Sequence, residues 1–269
     1  MKTVFLILSL FFALVTQAQE TIQEGQRDLG GERIEAIRGT SNYLRVREGE
    51  KWSVINKNGK KITAIKYDYV NSFSEGFMWV AAKGKYGAID TMGNEITPIK
   101  YEACFDFENG FAAVKIGKRY GYINTEGKEI TPIKYESFYS FNQGYCSVRL
   151  NGKYGIIDAH GKVIVPIAYD MSDIHSIGVL YVYLNKKKIY FTKHGKELPA
   201  LSKYQEIGPL SNGLAWVKVN DKYGYINKEL EEVIPPQFEL CWNFDDKGVA
   251  GVKRDGVSFH INKKGEAVR

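Results

Sequence analysis

The residues best placed to do chemistry in this chain form two columns of opposite charge that recur at near-constant spacing. Lys85, Lys118, Arg119, Lys153, Lys187 and Lys222 make the positive column, and Asp68, Glu102, Glu136, Asp170 and Glu239, each directly after an aromatic residue, make the negative one. Two kinds of chemistry are open to them. Opposite charges on neighbouring turns would form solvated ion pairs worth about 0–1 kcal/mol each. Alternatively they would line a rim that binds an anionic or hydroxyl-rich ligand such as envelope polysaccharide, where weak equivalent contacts add through avidity.

Catalytic arrangements are weak by comparison. His160, His175, His194 and His260 show no His-x-x-x-His spacing, and the cysteines show no Cys-x-x-Cys, so neither a metal nor a cofactor is expected. There is no Gly-x-Ser-x-Gly elbow, phosphate-binding loop or dinucleotide fingerprint. Asp106 with Glu108 and Asp245 with Asp246 are explained by turns and caps. Carboxylates from different parts of the chain that meet in space would still suit a polysaccharide-processing enzyme. Cys104, Cys146 and Cys241 are too few and too unlike in setting for a disulfide framework, and are expected to be buried, free, small hydrophobes.

The elements that must position these groups are copies of one pattern, seen most plainly at residues 118–136, KRYGYINTEGKEITPIKYE. Trp52, Tyr86, Tyr120, Tyr154, Lys188, Tyr223 and Ser258 occupy its opening aromatic position, at spacings of 34, 34, 34, 34, 35 and 35. Seven residues further on stand Gly59, Gly93, Gly127, Gly161, Gly195, Leu230 and Gly265, a position where a hairpin turn requires positive φ. A fixed period of this length marks a tandem-repeat architecture.

The residues at these positions resemble the WG-repeat proteins, a bacterial family named for a Trp-Gly or Tyr-Gly pair followed by a turn and an Ile-x-Pro segment. The matching residues are Tyr86-Gly87 with Ile96 and Pro98, Tyr120-Gly121 with Ile130 and Pro132, Tyr154-Gly155 with Ile164 and Pro166, and Tyr223-Gly224 with Ile234 and Pro235. The pair is lost at Lys188-Ile189 and Ser258-Phe259, and its glycine at Trp52-Ser53. The resemblance implies a repeat fold. It carries no activity, because the family shares no catalytic residues.

Each copy reads as four short extended segments, at 101–107, 111–116, 119–124 and 128–133 in one case, joined by tight glycine-containing turns that signal antiparallel hairpins. The expected fold is all-β, with antiparallel four-stranded units arranged as a β-propeller-like structure of about seven blades. An open array of β-hairpins is the alternative. Phe77, Val80 and Ile89, with their counterparts in later copies, are the expected core. Residues 31–42 are candidates to supply what the last copy, 249–268, lacks. The copy at 179–213 departs most from the pattern, and just before it His175 replaces Phe73, Phe107 or Phe141. That lapse is either drift or the mark of a ligand site, for which Asp173, His175 and Tyr204 are the candidate residues.

Residues 1–18 have the form of an export signal, with Lys2, an apolar run at 4–15 too short to span a bilayer as a helix, and Thr16, Gln17 and Ala18 before the cut. Residues 19–31 are polar and expected to be a flexible entry, followed by a single repeat domain over 32–269. The formal charge of +6 is modest and dispersed, which with export argues against nucleic acid. The function expected is an exported, non-enzymatic repeat scaffold that binds a protein or glycan of the cell envelope. A polysaccharide-processing enzyme and a purely structural envelope module are the alternatives.

Overall fold

A computed structural model describes residues 27–29, 32–37, 40, 42–64 and 66–268. The proposed export signal lies outside them. Among the described residues the chain is all-β but for one 3-10 turn, Pro199–Lys203, and no helix is long and apolar enough to cross a membrane. Its strands form seven antiparallel sheets, one per copy of the pattern, each an up-and-down meander of the kind found in propeller blades. The contacts divide the chain into two compact units, Met1–Phe141 with the first three sheets and Asn142–Arg269 with the other four.

Every sheet is centred on one hairpin. In the third sheet Phe111–Ile116 pairs with Arg119–Asn124, and Ala103–Cys104 flanks it. Both faces of this hairpin are covered, so three successive residues are buried in mid-strand instead of every second one. Val80, Val114, Val148, Val182, Val217 and Val252 are fully buried, as are Ile89, Ile123, Ile157 and Ile226. Phe77, Phe111, Tyr145 and Val249 are only half-buried. The clusters lie between consecutive sheets. One face of the second sheet packs with Val54 and Tyr67, while Trp79 and Ala88 on its other face pack with Phe107 and Val114. In the second unit, Ala215 and Val217 pack back on Tyr190, and Tyr225 packs forward on Val252 and Ile261. No single copy buries its own apolar side chains, which is why the pattern must be repeated to fold.

The fourth segment of each copy takes two forms. In the first unit it is a bulged edge held by isolated bridges, Ile89 to Glu95 and Ile123 to Glu129, not a strand. Buried Thr63, Thr97 and Thr131 explain this. Their hydroxyls accept from the backbone N–H of Val54, Ala88 and Tyr122 at 2.9, 2.8 and 3.0 Å, a place that a ladder carbonyl would otherwise fill. Val165 and Ile234 stand at this position in the fourth and sixth sheets, and there the segments are strands, Val163–Tyr169 and Glu232–Phe238. Pro166 and Pro235 lie on those edge strands, where a missing N–H is tolerated.

The fourth segment also explains the glycine of the Tyr-Gly pair. A Cβ on Gly121 would stand 2.9 Å from Ile133 Cγ1 and 3.1 Å from its Cα, so only glycine lets the segment cross the hairpin this closely. At the hairpin turn, Gly127 has φ +74°, and a Cβ there would lie 1.9 Å from the Ile96 carbonyl oxygen of the preceding copy. Leu230 holds the same left-handed conformation, φ 70°, after a copy whose fourth segment is the 3-10 turn.

At the start of the chain, Glu32–Ala36 pairs with Tyr43–Glu48, and Arg27–Leu29, within the stretch expected to be a flexible entry, pairs with Glu32–Ala36 as the outer strand of the first sheet. The seventh sheet ends on its own Ala267–Val268. Residues 32–36 therefore belong to the sheet of the first copy.

Candidate functional site

The charged columns meet as the turn-end topology requires. Lys85 Nζ lies 2.8 Å from Glu102, Lys153 Nζ 2.8 Å from Asp170, and Arg119 3.3 Å from Glu136; Lys51 pairs with Asp68. The second carboxylate oxygen is used as well. Glu102 accepts from the turn N–H of Gly117 at 2.7 Å, Asp170 from Asn185 at 2.9 Å and Glu239 from Gly256 at 3.4 Å. The lysine partners, helped by these turn N–H groups, hold the carboxyls of Asp68, Glu102 and Asp170 below the usual carboxylate range. Asp68, Glu102 and Asp170 thus each link the hairpin before them to the hairpin after them. Among the described residues Lys118, Lys187 and Lys222 form no ion pair, and it is Arg119, not Lys118, that holds Glu136.

A second ladder, not anticipated from the sequence, runs alongside. Lys66, Lys100 and Lys203 pair with Glu95, Glu129 and Glu232 of the following copy at 2.6, 2.7 and 3.1 Å. Each ammonium also lies over its neighbouring ring, Tyr67, Tyr101 or Tyr204, at 5.0, 5.2 and 4.8 Å from the centroid. The signal was present as a recurrent Lys-Tyr pair followed 28 residues later by glutamate. Tyr204 belongs to this ladder, donating to Glu232 at 3.2 Å.

Asp173 and His175 do converge, on Tyr181. The Tyr181 hydroxyl donates to Asp173 at 3.0 Å, and its ring centroid is 6.2 Å from that of His175. The backbone N–H of Ile177 donates to His175 Nδ1 at 3.2 Å, so the proton sits on Nε2, which donates to the Ile207 carbonyl at 3.0 Å. Burial, with Lys188 nearby, keeps His175 below the ordinary histidine range. The arrangement braces the fifth sheet against the sixth. Lys188 lies 4.8, 5.4 and 5.8 Å from the centroids of Tyr181, Tyr183 and Tyr190. Burial pushes Tyr190 up to about 12, and its hydroxyl has no hydrogen-bond partner among the described residues.

All three cysteines are thiols; Cys146 is buried, while Cys104 and Cys241 are half-buried. Burial raises Cys104 to about 12, with Asp106 adding to the effect, and Cys241 to about 11, so both remain protonated thiols at neutral pH. No group of three or more His, Cys, Asp or Glu among the described residues is placed to hold a metal ion.

Two depressions open on the surface, one in each unit, and a single feature accounts for both. Trp79 and Trp216 stand on the first strand of the central hairpin, the Trp216 indole filling the space beside Gly208. In the third and seventh copies the bulk moves to the flanking segment. Phe105 there faces Ala113, and Trp242 lies over Gly251, 3.2 Å from where its Cβ would be. Above Ala113 this leaves a cavity of about 270 Å³ walled by Phe105, Tyr122, Phe138 and Tyr139, with Asp106 and Glu108 in its lining. The cavity over Gly251 is about 380 Å³, with Trp242, Phe259 and His260 around it. Phe138, Tyr139 and Trp242 are 36, 39 and 54% exposed. The sequence signal was the small residue at a position elsewhere filled by tryptophan.

The model of the WG containing repeat matches residues 52–86, 86–120, 120–154, 154–174, 199–223 and 223–257, more than half of the chain. The chain belongs to the WG-containing repeat family. The unmatched stretch within the repeats, 175–198, is the irregular copy with Lys188-Ile189. No curated protein matches the chain. Among solved structures it is similar to Kluyveromyces lactis Hsv2p, at 11% identity and a TM-score of 0.34 over 91% of this chain and 98% of that one. It is also similar to PorZ, a bacterial surface component of the type-IX secretion system of Porphyromonas gingivalis, at 9% identity and a TM-score of 0.31 over 89% of this chain and 39% of PorZ. At such low scores neither likeness bears on function.

Proposed function

We propose that this WG-repeat protein is an exported, non-enzymatic scaffold that binds a protein or glycan of the cell envelope. One observation carries the reading: much of the charge available for a catalytic or anion-binding rim is spent on linking adjacent copies, while exposed aromatic rings surround two depressions. Aromatic platforms of this kind are binding surfaces. The strongly raised groups, Cys104, Cys241, Tyr101, Tyr181, Tyr190 and Tyr225, owe their shifts first to burial, which supports a scaffold role over a tuned nucleophile or base. Export rests on the form of residues 1–18.

A glycan array probed with purified protein, followed by product analysis on any hit, tests the reading. Binding without turnover supports the scaffold, and cleavage overturns it in favour of the polysaccharide-processing enzyme. Capture of one defined envelope protein with no glycan signal assigns the partner to the protein class. Mass spectrometry of protein recovered outside the cytoplasm should give a chain beginning at Gln19; retention of residues 1–18 in the cytoplasmic fraction would overturn export.

A further inference from the structure

We propose that the cavity above Ala113 binds one aromatic ring that carries an ammonium group. This deepens the scaffold reading and rests on it only for the premise that the chain is a binder. The shape of the site comes from the exchange of large and small side chains between adjacent strands. In the second copy the Trp79 indole fills the equivalent space: it stacks on Phe107 at 5.8 Å and 18°, and its Nε1–H donates to the Phe105 carbonyl at 2.9 Å. One copy later Ala113 stands in place of Trp79, and Phe141 in place of Phe107. Opposite Ala113, where the second copy has Ala88, stands Tyr122, whose ring meets Phe141 edge-on at 5.4 Å and whose hydroxyl reaches the Tyr139 carbonyl; the cavity lies beside this ring.

Its size and rigidity suit such an occupant. Cavities of about 150 Å³ hold a benzene ring, and this one is about 270 Å³. The Tyr122 hydroxyl donates to the Tyr139 carbonyl at 3.0 Å and accepts from its N–H at 2.9 Å, which fixes the far wall. Phe105 and Phe138 pack with centroids 3.7 Å apart and form the other.

The charge decides the chemical class. Asp106 and Glu108 enter no ion pair among the described residues, and Glu108 only accepts from the Ser140 hydroxyl at 2.5 Å. Two carboxylates without a counter-ion beside several ring faces favour a cation, because both the carboxylates and the ring quadrupoles attract positive charge. A neutral sugar would leave both carboxylates unneutralised.

The test titrates the full chain with tryptamine, indole and indole-3-acetate by calorimetry, with methyl glucoside as a competitor. Tryptamine should bind about fivefold tighter than indole, indole-3-acetate should bind weakest, and the ranking should shrink in high salt. The triple variant Phe105→Asn, Ala113→Trp, Tyr122→Ala rebuilds the Asn71, Trp79 and Ala88 set of the second copy and should lose all three ligands. The variant Asp106→Asn, Glu108→Gln keeps the cavity and should bind the three alike. Equal binding of the three to the wild type, undiminished binding to the rebuilt variant, or displacement of tryptamine by methyl glucoside at lower concentration would each overturn the proposal. If the glycan array or the envelope capture is positive and tryptamine fails, the cavity assignment falls and the scaffold reading stands. If tryptamine binds and both of those are blank, the reverse holds.

Discussion

Tyr183 and Lys188 face each other across the central hairpin of the fifth sheet, the ammonium 5.4 Å from the ring centroid, and so reverse the order found in neighbouring copies. Elsewhere the cation is on the first strand and the ring on the second: Arg47 opposite Trp52, Lys115 opposite Tyr120, Arg149 opposite Tyr154, Lys218 opposite Tyr223. What reads in the sequence as the loss of the Tyr-Gly pair is, at its first residue, an exchange of partners that keeps the contact. Its second residue, Ile189, is accommodated because the 3-10 turn Pro199–Lys203 replaces the segment that elsewhere crosses a glycine.

The exchange predicts the result of a double-mutant cycle. Tyr183→Lys alone sets two lysines opposite each other and should destabilise the chain. The pair Tyr183→Lys, Lys188→Tyr should recover most of that loss, with a coupling of about 0.5–1 kcal/mol in denaturant unfolding. Additive effects would mean that the contact is incidental.

Tyr190 and Tyr225 should respond oppositely to loss of their hydroxyls. The Tyr225 hydroxyl donates to the Trp242 carbonyl at 2.8 Å, so Tyr225→Phe should cost about 1 kcal/mol. Tyr190→Phe removes a buried hydroxyl that lacks a partner among the described residues and should be neutral or stabilising. Thermal melts of the two variants check this, and a clear loss for Tyr190→Phe would contradict it.

His175 should make the chain sensitive to mild acid. Its folded-state pKa lies below the unfolded value of about 6.5, so its contribution to stability is full above that pH. As the pH falls from 6.5 towards the folded value the unfolded chain takes up a proton that the native one refuses, and stability drops. His175→Phe, the residue found at the equivalent position in earlier copies, should flatten stability against pH in this window. An unchanged slope would show that other groups set it.

The threonine hydroxyls carry a further expectation. Thr97→Val leaves the buried Ala88 N–H without its acceptor and should cost about 1–3 kcal/mol. Valine is native at the corresponding position in the fourth sheet only because Val165 lies in a paired strand. Hydrogen exchange at the Ala88 amide would report the loss directly.

The period of 34 and 35 residues, the all-β class, the hairpins, the glycine turns and the fully buried Val and Ile positions were legible in the sequence, because each is set by local rules of turn chemistry and strand patterning. The charged columns were legible as residues, and their pairing followed once the turns were assigned to ends. Hidden were the roles that depend on what another copy places nearby. Examples are the His175 ring reaching the Ile207 carbonyl, Tyr204 joining the Lys203 and Glu232 ladder, and the choice between bulge and strand made by a threonine hydroxyl. The two cavities belong with these, since whether Ala113 or Gly251 leaves open space depends on where Phe105 and Trp242 rest. Turn residues act through their own backbone, whereas cavities and cross-braces arise between strands and between consecutive sheets, which only the packed chain brings together.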